Sequence, residues 1–379
     1  MKPIRVLSIF GTRPEAVKMA PVVKALSADG RIESLVCVTA QHREMLDQVL
    51  DLFAIRPDHD LDLMRPDQTL ANLTAQIFVH IDPVLDLVRP DWVLVQGDTT
   101  TVMAASLAAF YRGIKVGHVE AGLRTGDKRQ PFPEEINRRM TSVVADLHFA
   151  PTELSRNNLM REGIPDWRVR VTGNTVIDAL NMIVNVEPPA QVTEWLKEWG
   201  VSADGRRLVL VTAHRRENFG EPIRQICEAI KTLAEKYRDR VHFVYPVHLN
   251  PHIQAPVHEI LGGQPGVSLI QPVDYLSLVH LMKNAHFVLT DSGGIQEEAA
   301  GLGKPTLVLR EVTERPEGVE AGVLKLVGAH AAAIVREAST LMEDEGVYAA
   351  MSRASNVFGD GKAAARIVDA LVNFSEPPL

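Results

Sequence analysis

Several segments carry side chains that move protons or hold anions. Gly97-Asp98-Thr99-Thr100-Thr101 and Gly117-His118-Val119-Glu120-Ala121-Gly122-Leu123-Arg124 each continue an apolar, strand-like run, so each sets a carboxylate at the carboxyl end of a strand. Asp98 has two readings, a cap for the following helix or an acid/base group. Glutamate is a poor capping residue, and Glu120 leads into a glycine turn, which favours chemistry over capping there. Pro131 to Arg139 reads as a loop opening a helix, with Glu134 and Glu135 in its first turn, where acids also complement the helix dipole. Carboxylates that converge from separate loops repel one another and raise at least one pKa, as a general acid and a general base in one pocket require. Thr212-Ala213-His214-Arg215-Arg216-Glu217-Asn218 adds a histidine at another strand end.

Two further segments suit phosphate. In Gly11-Thr12-Arg13-Pro14-Glu15 a glycine turn leads into a proline at a first helical position, so backbone N–H groups and Arg13 gather where an anion can sit, with Lys18 about one turn further on. A tight turn with a surface arginine is the alternative. In Asp291-Ser292-Gly293-Gly294-Ile295-Gln296-Glu297-Glu298, the amides of Ser292, Gly293 and Gly294 can face a diphosphate at a helix start, and Glu298 one turn in can accept from ribose hydroxyls. A Ser/Gly turn capping an ordinary helix is the alternative here. The Gly-x-Gly-x-x-Gly fingerprint is missing, and the second strand ends in Ala40-Gln41-His42 without an acid, which argues against NAD. His248 and His252 are four apart, but Pro251 between them breaks the shared helix face, so no metal is expected.

These segments need a scaffold of alternating strands and helices. Strands are predicted at Ile4–Phe10, Leu35–Thr39, Trp92–Gln96, Lys115–Val119 and Leu147–Ala150, then at Leu208–Thr212, Val241–Val247, Val267–Ile270, His286–Thr290 and Thr306–Leu309. Helical patterns lie between them, notably at Glu221–Lys236, Tyr275–Lys283 and Ile295–Gly301. Pro21 is expected to kink or shorten the first helix. The rhythm is α/β, two halves each built on a parallel sheet, with ligands at the carboxyl ends of the strands. At 379 residues the chain exceeds the roughly 250–300 residues at which a single core stops growing. The expected division is residues 1–172, residues 173–358, and a last helical segment, residues 359–379, that can close back on either half. The Pro-rich stretch Val186 to Ala190 is a second place for the linker.

The net charge of −8 opposes nonspecific attraction to nucleic acid or anionic lipid, so any phosphorylated ligand needs local cations. Two cysteines, Cys37 and Cys227, are too few for a disulfide framework and fit a reducing compartment. The N-terminus has no signal-peptide pattern, and the apolar run Val102 to Tyr111 is far short of a membrane span. The expectation is a soluble, cytoplasmic protein with no nucleic-acid or membrane partner.

With these motifs in order, and with Gln41-His42-Arg43-Glu44-Met45 and Thr313-Glu314-Arg315-Pro316-Glu317 added, the sequence closely resembles the bacterial non-hydrolysing UDP-N-acetylglucosamine 2-epimerases over nearly its whole length. The resemblance implies a glycosyltransferase-B-type fold, two Rossmann-like domains facing a cleft with the C-terminal helix crossing back. It implies interconversion of UDP-GlcNAc and UDP-ManNAc without NAD or metal, by elimination of UDP to 2-acetamidoglucal and re-addition, supplying ManNAc for surface polysaccharides. By resemblance Asp98, Glu120, Glu134 and His214 are the catalytic set. Arg13, Ser292, Gly293 and Gly294 hold the diphosphate with Lys18 as an auxiliary cation, Glu298 meets the ribose, and Arg315 is a further UDP-site residue. Gln41, His42, Met45, Arg65 and Gln68 match where bacterial members bind a second UDP-GlcNAc as an activator. A homodimer is implied, with exposed apolar helices of the first half as its interface. One departure is Leu278, aligned with a position in the uridine region where members commonly carry an aromatic. The rivals are a transferase of the same fold, a hydrolysing relative that releases free ManNAc, and a nucleotide-sugar sensor, which has no need of Asp98, Glu120 and Glu134 together.

Overall fold

β-branched runs flanked by glycine turns and long helical patterns build two all-parallel sheets, each by itself the core of one unit. The computed structural model describes residues 2–40, 43–63, 65, 68–202, 205–353 and 356–376. Unit 1 comprises residues 1–182 together with 358–379, and unit 2 residues 183–357.

Unit 1 carries β1 (Ile4–Phe10), β2 (Ile32–Val38), β3 (His59–Asp60), β4 (Trp92–Gln96), β5 (Lys115–Val119), β6 (Leu147–Ala150) and β7 (Val169–Val171), in the order β3-β2-β1-β4-β5-β6-β7. Its helices are α1 (Arg13–Ala28), α2 (Arg43–Leu52), α3 (Leu70–Val88), α4 (Thr100–Tyr111), α5 (Glu134–Val144), α6 (Glu153–Arg161) and α7 (Thr175–Ile183), the last running to the unit boundary. Order reverses between β1 and β4, and such a switch point opens a crevice at the strands' carboxyl ends. Thr12 caps α1 and Glu15 completes a capping box, so the turn after β1 is fixed by its own sequence. Contrary to expectation, α1 is not cut short at Pro21 but continues to Ala28.

Unit 2 carries α8 (Ala190–Glu198), β8 (Arg207–Thr212), α9 (Glu221–Lys236), β9 (Val241–Pro246), α10 (Pro251–Leu261), β10 (Val267–Ile270), α11 (Tyr275–Asn284), β11 (Ala285–Thr290), α12 (Gly293–Gly301), β12 (Thr306–Val308), α13 (Pro316–Glu320), β13 (Leu324–Leu326), α14 (Ala331–Glu343) and α15 (Glu345–Met351). Its order is β10-β9-β8-β11-β12-β13, with the switch between β8 and β11. The apolar stripe of α9, from Ile223 through Ile230 to Ala234, packs with Val209, Val211, Phe243 and Leu289 of the sheet.

The last helix, α16 (Ala363–Val372), packs on α1 and so belongs to unit 1. The amides of Ala363 and Ala364 donate to Asp178 of α7, at 3.2 and 2.9 Å. Asn174 donates its amide to the Phe358 carbonyl at 2.6 Å. These bonds keep α7 with unit 1, so the compact unit extends past the break expected after residue 172. Among the described residues no helix is long and apolar enough to cross a membrane.

Candidate active site

Glu120 follows β5 in the left-handed region, at φ 64°, a conformation that a glutamate adopts only when its surroundings enforce it. Its carboxylate is buried and accepts from three side chains. Gln96 at the end of β4 donates to Oε2 at 2.5 Å, Asn174 donates to Oε1 at 2.7 Å, and the Lys18 ammonium forms an ion pair with Oε1. Lys18 was expected as an auxiliary cation for a diphosphate. In the structure it reaches Glu120, because α1 runs beside the sheet and carries the Lys18 stem inward until only 9% of the residue is exposed.

Asp98 lies at the end of the neighbouring strand β4, after Gly97, whose φ of 81° suits glycine. Its carboxylate pairs with Arg138 of α5 at 2.8 Å, and its carbonyl accepts from Asn137 at 2.9 Å. Glu134 is the first residue of that same helix, half-buried, so one element presents Glu134 and grips the Asp98 turn. Glu135 beside it points elsewhere: fully buried, it accepts from the amides of Thr125 and Gly126 at 3.2 and 3.3 Å and pins the preceding loop. His118 on β5 is hydrogen-bonded through Nε2 to the Gly97 carbonyl at 2.7 Å, and burial lowers its pKa to about 4, so the ring is neutral.

Arg13 is half-buried at the first position of α1. Glu15 behind it accepts from the amides of Gly11 and Thr12 at 3.0 and 2.7 Å and from the Thr99 hydroxyl at 2.6 Å, tying the turn after β1 to the turn after β4. Burial pushes the Glu15 carboxyl upward against these bonds.

In unit 2 the ends of β8 and β11 carry the second cluster. Asp291, fully buried, accepts at Oδ2 from the amides of His214 and Arg215, both at 2.8 Å, and from the Asn218 side chain at 2.9 Å. The His214 ring stacks on His248 with centroids 5.5 Å apart, and His252 stacks on Phe219, so the two histidines once weighed as a metal pair serve different neighbours. At the start of α12 the Ser292 amide donates to Thr290 Oγ1 at 2.9 Å. The Ser292 amide is thereby taken within the turn, while Gly293 and Gly294 open the helix, where amides have no carbonyl one turn back.

Arg315 lies against this helix start. A Cβ on Gly293 would fall 2.5 Å from Arg315 Nη1, so only glycine lets the guanidinium approach. Glu297 accepts from Arg315 Nε at 2.7 Å and Glu314 from Nη1 at 3.5 Å, while Arg310 pairs with Glu314 at 2.8 Å and Glu217 at 2.5 Å. Burial opposes the charge on Glu314, but Arg315 and Arg310 outweigh it and hold the carboxyl at about 2. Tyr275 donates to Glu298 Oε1 at 2.7 Å, both residues being buried. Leu278, one turn on in α11, belongs to the core with Leu208, Val244 and Val288. Tyr275 thus sets an aromatic ring beside Glu298.

Of the segment matched to a second nucleotide-sugar site, Gln41 and His42 lie outside the described residues. Met45 is exposed on the first turn of α2, Arg65 is exposed, and Gln68 is half-buried.

The sequence matches the family described as UDP-N-acetylglucosamine 2-epimerase over residues 24–372. This chain belongs to that family. It is 53% identical to the UDP-N-acetylglucosamine 2-epimerase of Salmonella typhimurium, over 98% of this chain and 99% of the relative. Its structure is similar to that of the UDP-GlcNAc 2-epimerase from Neisseria meningitidis bound to UDP-GlcNAc, with a TM-score of 0.93, 50% identity, and coverage of 98% of this chain and 100% of the other. The UDP-GlcNAc 2-epimerase from Methanocaldococcus jannaschii, in complex with UDP-GlcNAc and UDP, follows at a TM-score of 0.84 and 34% identity, over 97% of this chain and 99% of that one. Among epimerases of this family, then, the glycosyltransferase-B-like architecture of two parallel-sheet domains is common ground.

Sequence reasoning missed Gln96, Asn174, Arg138, Tyr275 and the part played by Asp291. Asp291 had a signal, a carboxylate ending a strand. Asn174 had none, since it reaches Glu120 across 54 positions of sequence.

Proposed function

We propose that the chain inverts C2 of the sugar of UDP-GlcNAc, interconverting it with UDP-ManNAc. The observation that carries this reading is Glu120, a carboxylate held at a strand end by Lys18, Gln96 and Asn174, in a chain similar over its length to a UDP-GlcNAc-bound epimerase. The C2 proton is not acidic, because the acetamido group stabilises a carbanion poorly. Breaking the C1–O bond first, or together with proton loss, solves this. As the bond to UDP breaks, its electrons leave with the diphosphate and C1 becomes electron-poor. A carboxylate takes the C2 proton, the C2–H electrons form the C1–C2 double bond, and 2-acetamidoglucal and UDP remain. Protonation of C2 on the opposite face and return of the UDP oxygen to C1 give the epimer.

Asp98, Glu120 and Glu134 supply the acid and base. Donors on both Glu120 oxygens suit an ionised carboxylate and hence a proton acceptor. His214 assists the departing phosphate, Arg13, Arg315, Gly293, Gly294 and the Ser292 hydroxyl hold the diphosphate, and Glu298 meets the ribose. Lys18 serves by orienting Glu120. The same reading has Met45, Arg65 and Gln68, with Gln41 and His42, receive an activating nucleotide sugar. It makes the protein a cytoplasmic source of ManNAc for surface polysaccharide, and pairs two copies of the chain through unit 1.

The test is proton NMR of the purified protein with UDP-GlcNAc in deuterated water, without added NAD or metal. The expected result is UDP-ManNAc with deuterium at C2. A nucleotide sugar that binds and stays unchanged would point instead to a transferase without its acceptor or to a sensor.

A further inference from the structure

The ends of β8 and β11 are joined before their loops diverge. Asp291 donates its amide to the Thr212 carbonyl at 3.1 Å, and the Thr212 and Thr290 hydroxyls meet at 2.6 Å. This fixes the Asp291 carboxylate directly behind His214. Its two oxygens are used unequally. Oδ2 takes the three donors already described, which shape the loop from His214 to Asn218. Oδ1 is buried, has no hydrogen-bond partner among the described residues, and lies 3.6 Å from His214 Nδ1. A buried carboxylate oxygen without a donor is costly, and such atoms survive where a partner arrives during function. The donor that faces it is the imidazole, which also stacks on His248.

We propose that Asp291 is the positioning residue of His214. It accepts from Nδ1–H and supports the imidazolium, so that a charged ring presents Nε2–H to the departing phosphate. The inference rests on the reading of His214 as the group at the leaving phosphate. Asp291 touches no reacting atom and acts through the ring alone. One residue thereby couples two tasks, the loop's shape through Oδ2 and the ring's charge through Oδ1.

Asp291→Asn separates the two tasks. Its amide oxygen can occupy the Oδ2 position and keep all three donors, while its NH2 faces Nδ1 and holds the ring neutral with its one proton on Nε2. The expected result is a kcat lowered on the order of a hundredfold with KM for UDP-GlcNAc little changed, because the neutral ring no longer brings a positive charge to the departing phosphate. Ring-nitrogen NMR of the UDP complex, with the His214 signal assigned by its loss in His214→Asn, should show both nitrogens protonated in the wild type and Nε2 alone in Asp291→Asn. The double variant Asp291→Asn/His214→Asn should be no slower than His214→Asn alone. An unchanged protonation pattern, wild-type turnover, or effects that multiply in the double variant would overturn the proposal. So would a joint fall in melting temperature and UDP affinity, which would leave Asp291 a merely structural role. If the wild type fails to epimerise UDP-GlcNAc, the proposed activity fails, and the ring-nitrogen result still decides the Asp291–His214 pair.

Discussion

Glu120 combines a backbone conformation that glutamate rarely takes with side-chain bonds reaching it from α1, from β4 and from the turn before α7. Strain of this kind is tolerated where it aims a functional group, and the elements converging on one carboxylate over-determine its position. Glu120→Gln keeps the size and replaces an acceptor by a donor facing Gln96 and Asn174. Turnover should fall by on the order of 10²–10⁴-fold while UDP binding, read by calorimetry, stays near wild type. Wild-type turnover would remove Glu120 from the mechanism. Lys18→Met should lower kcat with little change in UDP affinity, since the ammonium sits on Glu120. A loss confined to UDP affinity would restore Lys18 to the diphosphate. The carboxylates themselves were legible because they follow apolar runs; their partners were not, because Lys18 and Glu120 meet across 102 positions and no local pattern records such a pairing.

At the scale of the element, the helix start at α12 and the strand pair β5/β6 each make a quantitative claim. Gly293→Ala would drive its methyl into the Arg315 guanidinium, so UDP affinity should fall about tenfold, the equivalent of one charge-assisted hydrogen bond, with the melting temperature nearly unchanged. Unaltered affinity would mean that Arg315 has no part in UDP binding. On the adjacent strands, His118 faces His148 in register, and burial lowers the two pKa values to about 4 and about 3. The folded rings stay neutral while an unfolded chain takes up protons below its ordinary 6.5, so the unfolded state binds more protons across that interval. Stability is therefore complete above 6.5 and declines as pH falls toward 4. Urea midpoints at pH 7 and pH 5 should differ less in His148→Phe than in the wild type; an equal difference would relieve the pair of this role. The long elements were visible in the sequence through periodicity, α9 to the residue. β3, β7 and β13, of two or three residues, were not, because edge strands so short carry no alternation to read.

For the whole molecule, the exposed apolar residues of unit 1 bear on assembly. Ile136, Met140 and Val143 lie at i, i+4 and i+7 on α5, and Phe110 and Tyr111 end α4, which packs beside it. With Tyr111 and Val143 exposed at 70% and 79%, this face suits a symmetric contact between two copies. Val143→Glu should convert a dimer into a monomer by light scattering; a dimer that survives the change would move the interface elsewhere. The two-unit plan was legible from length and rhythm, and so was the amphipathic last helix. Where the first unit ends was not, because the bonds from Asp178 and Asn174 that decide it come from residues beyond position 357.

That closure by α16 inverts the usual order of events on the ribosome. Unit 2 is complete in the emerging chain once residue 357 is clear, whereas unit 1, although begun before it, lacks its covering helix until residue 372 has been made. A growing chain must therefore shelter the uncovered face of α1 throughout the synthesis of an entire second domain. A stop codon just after residue 357 would spare unit 2 and cripple unit 1.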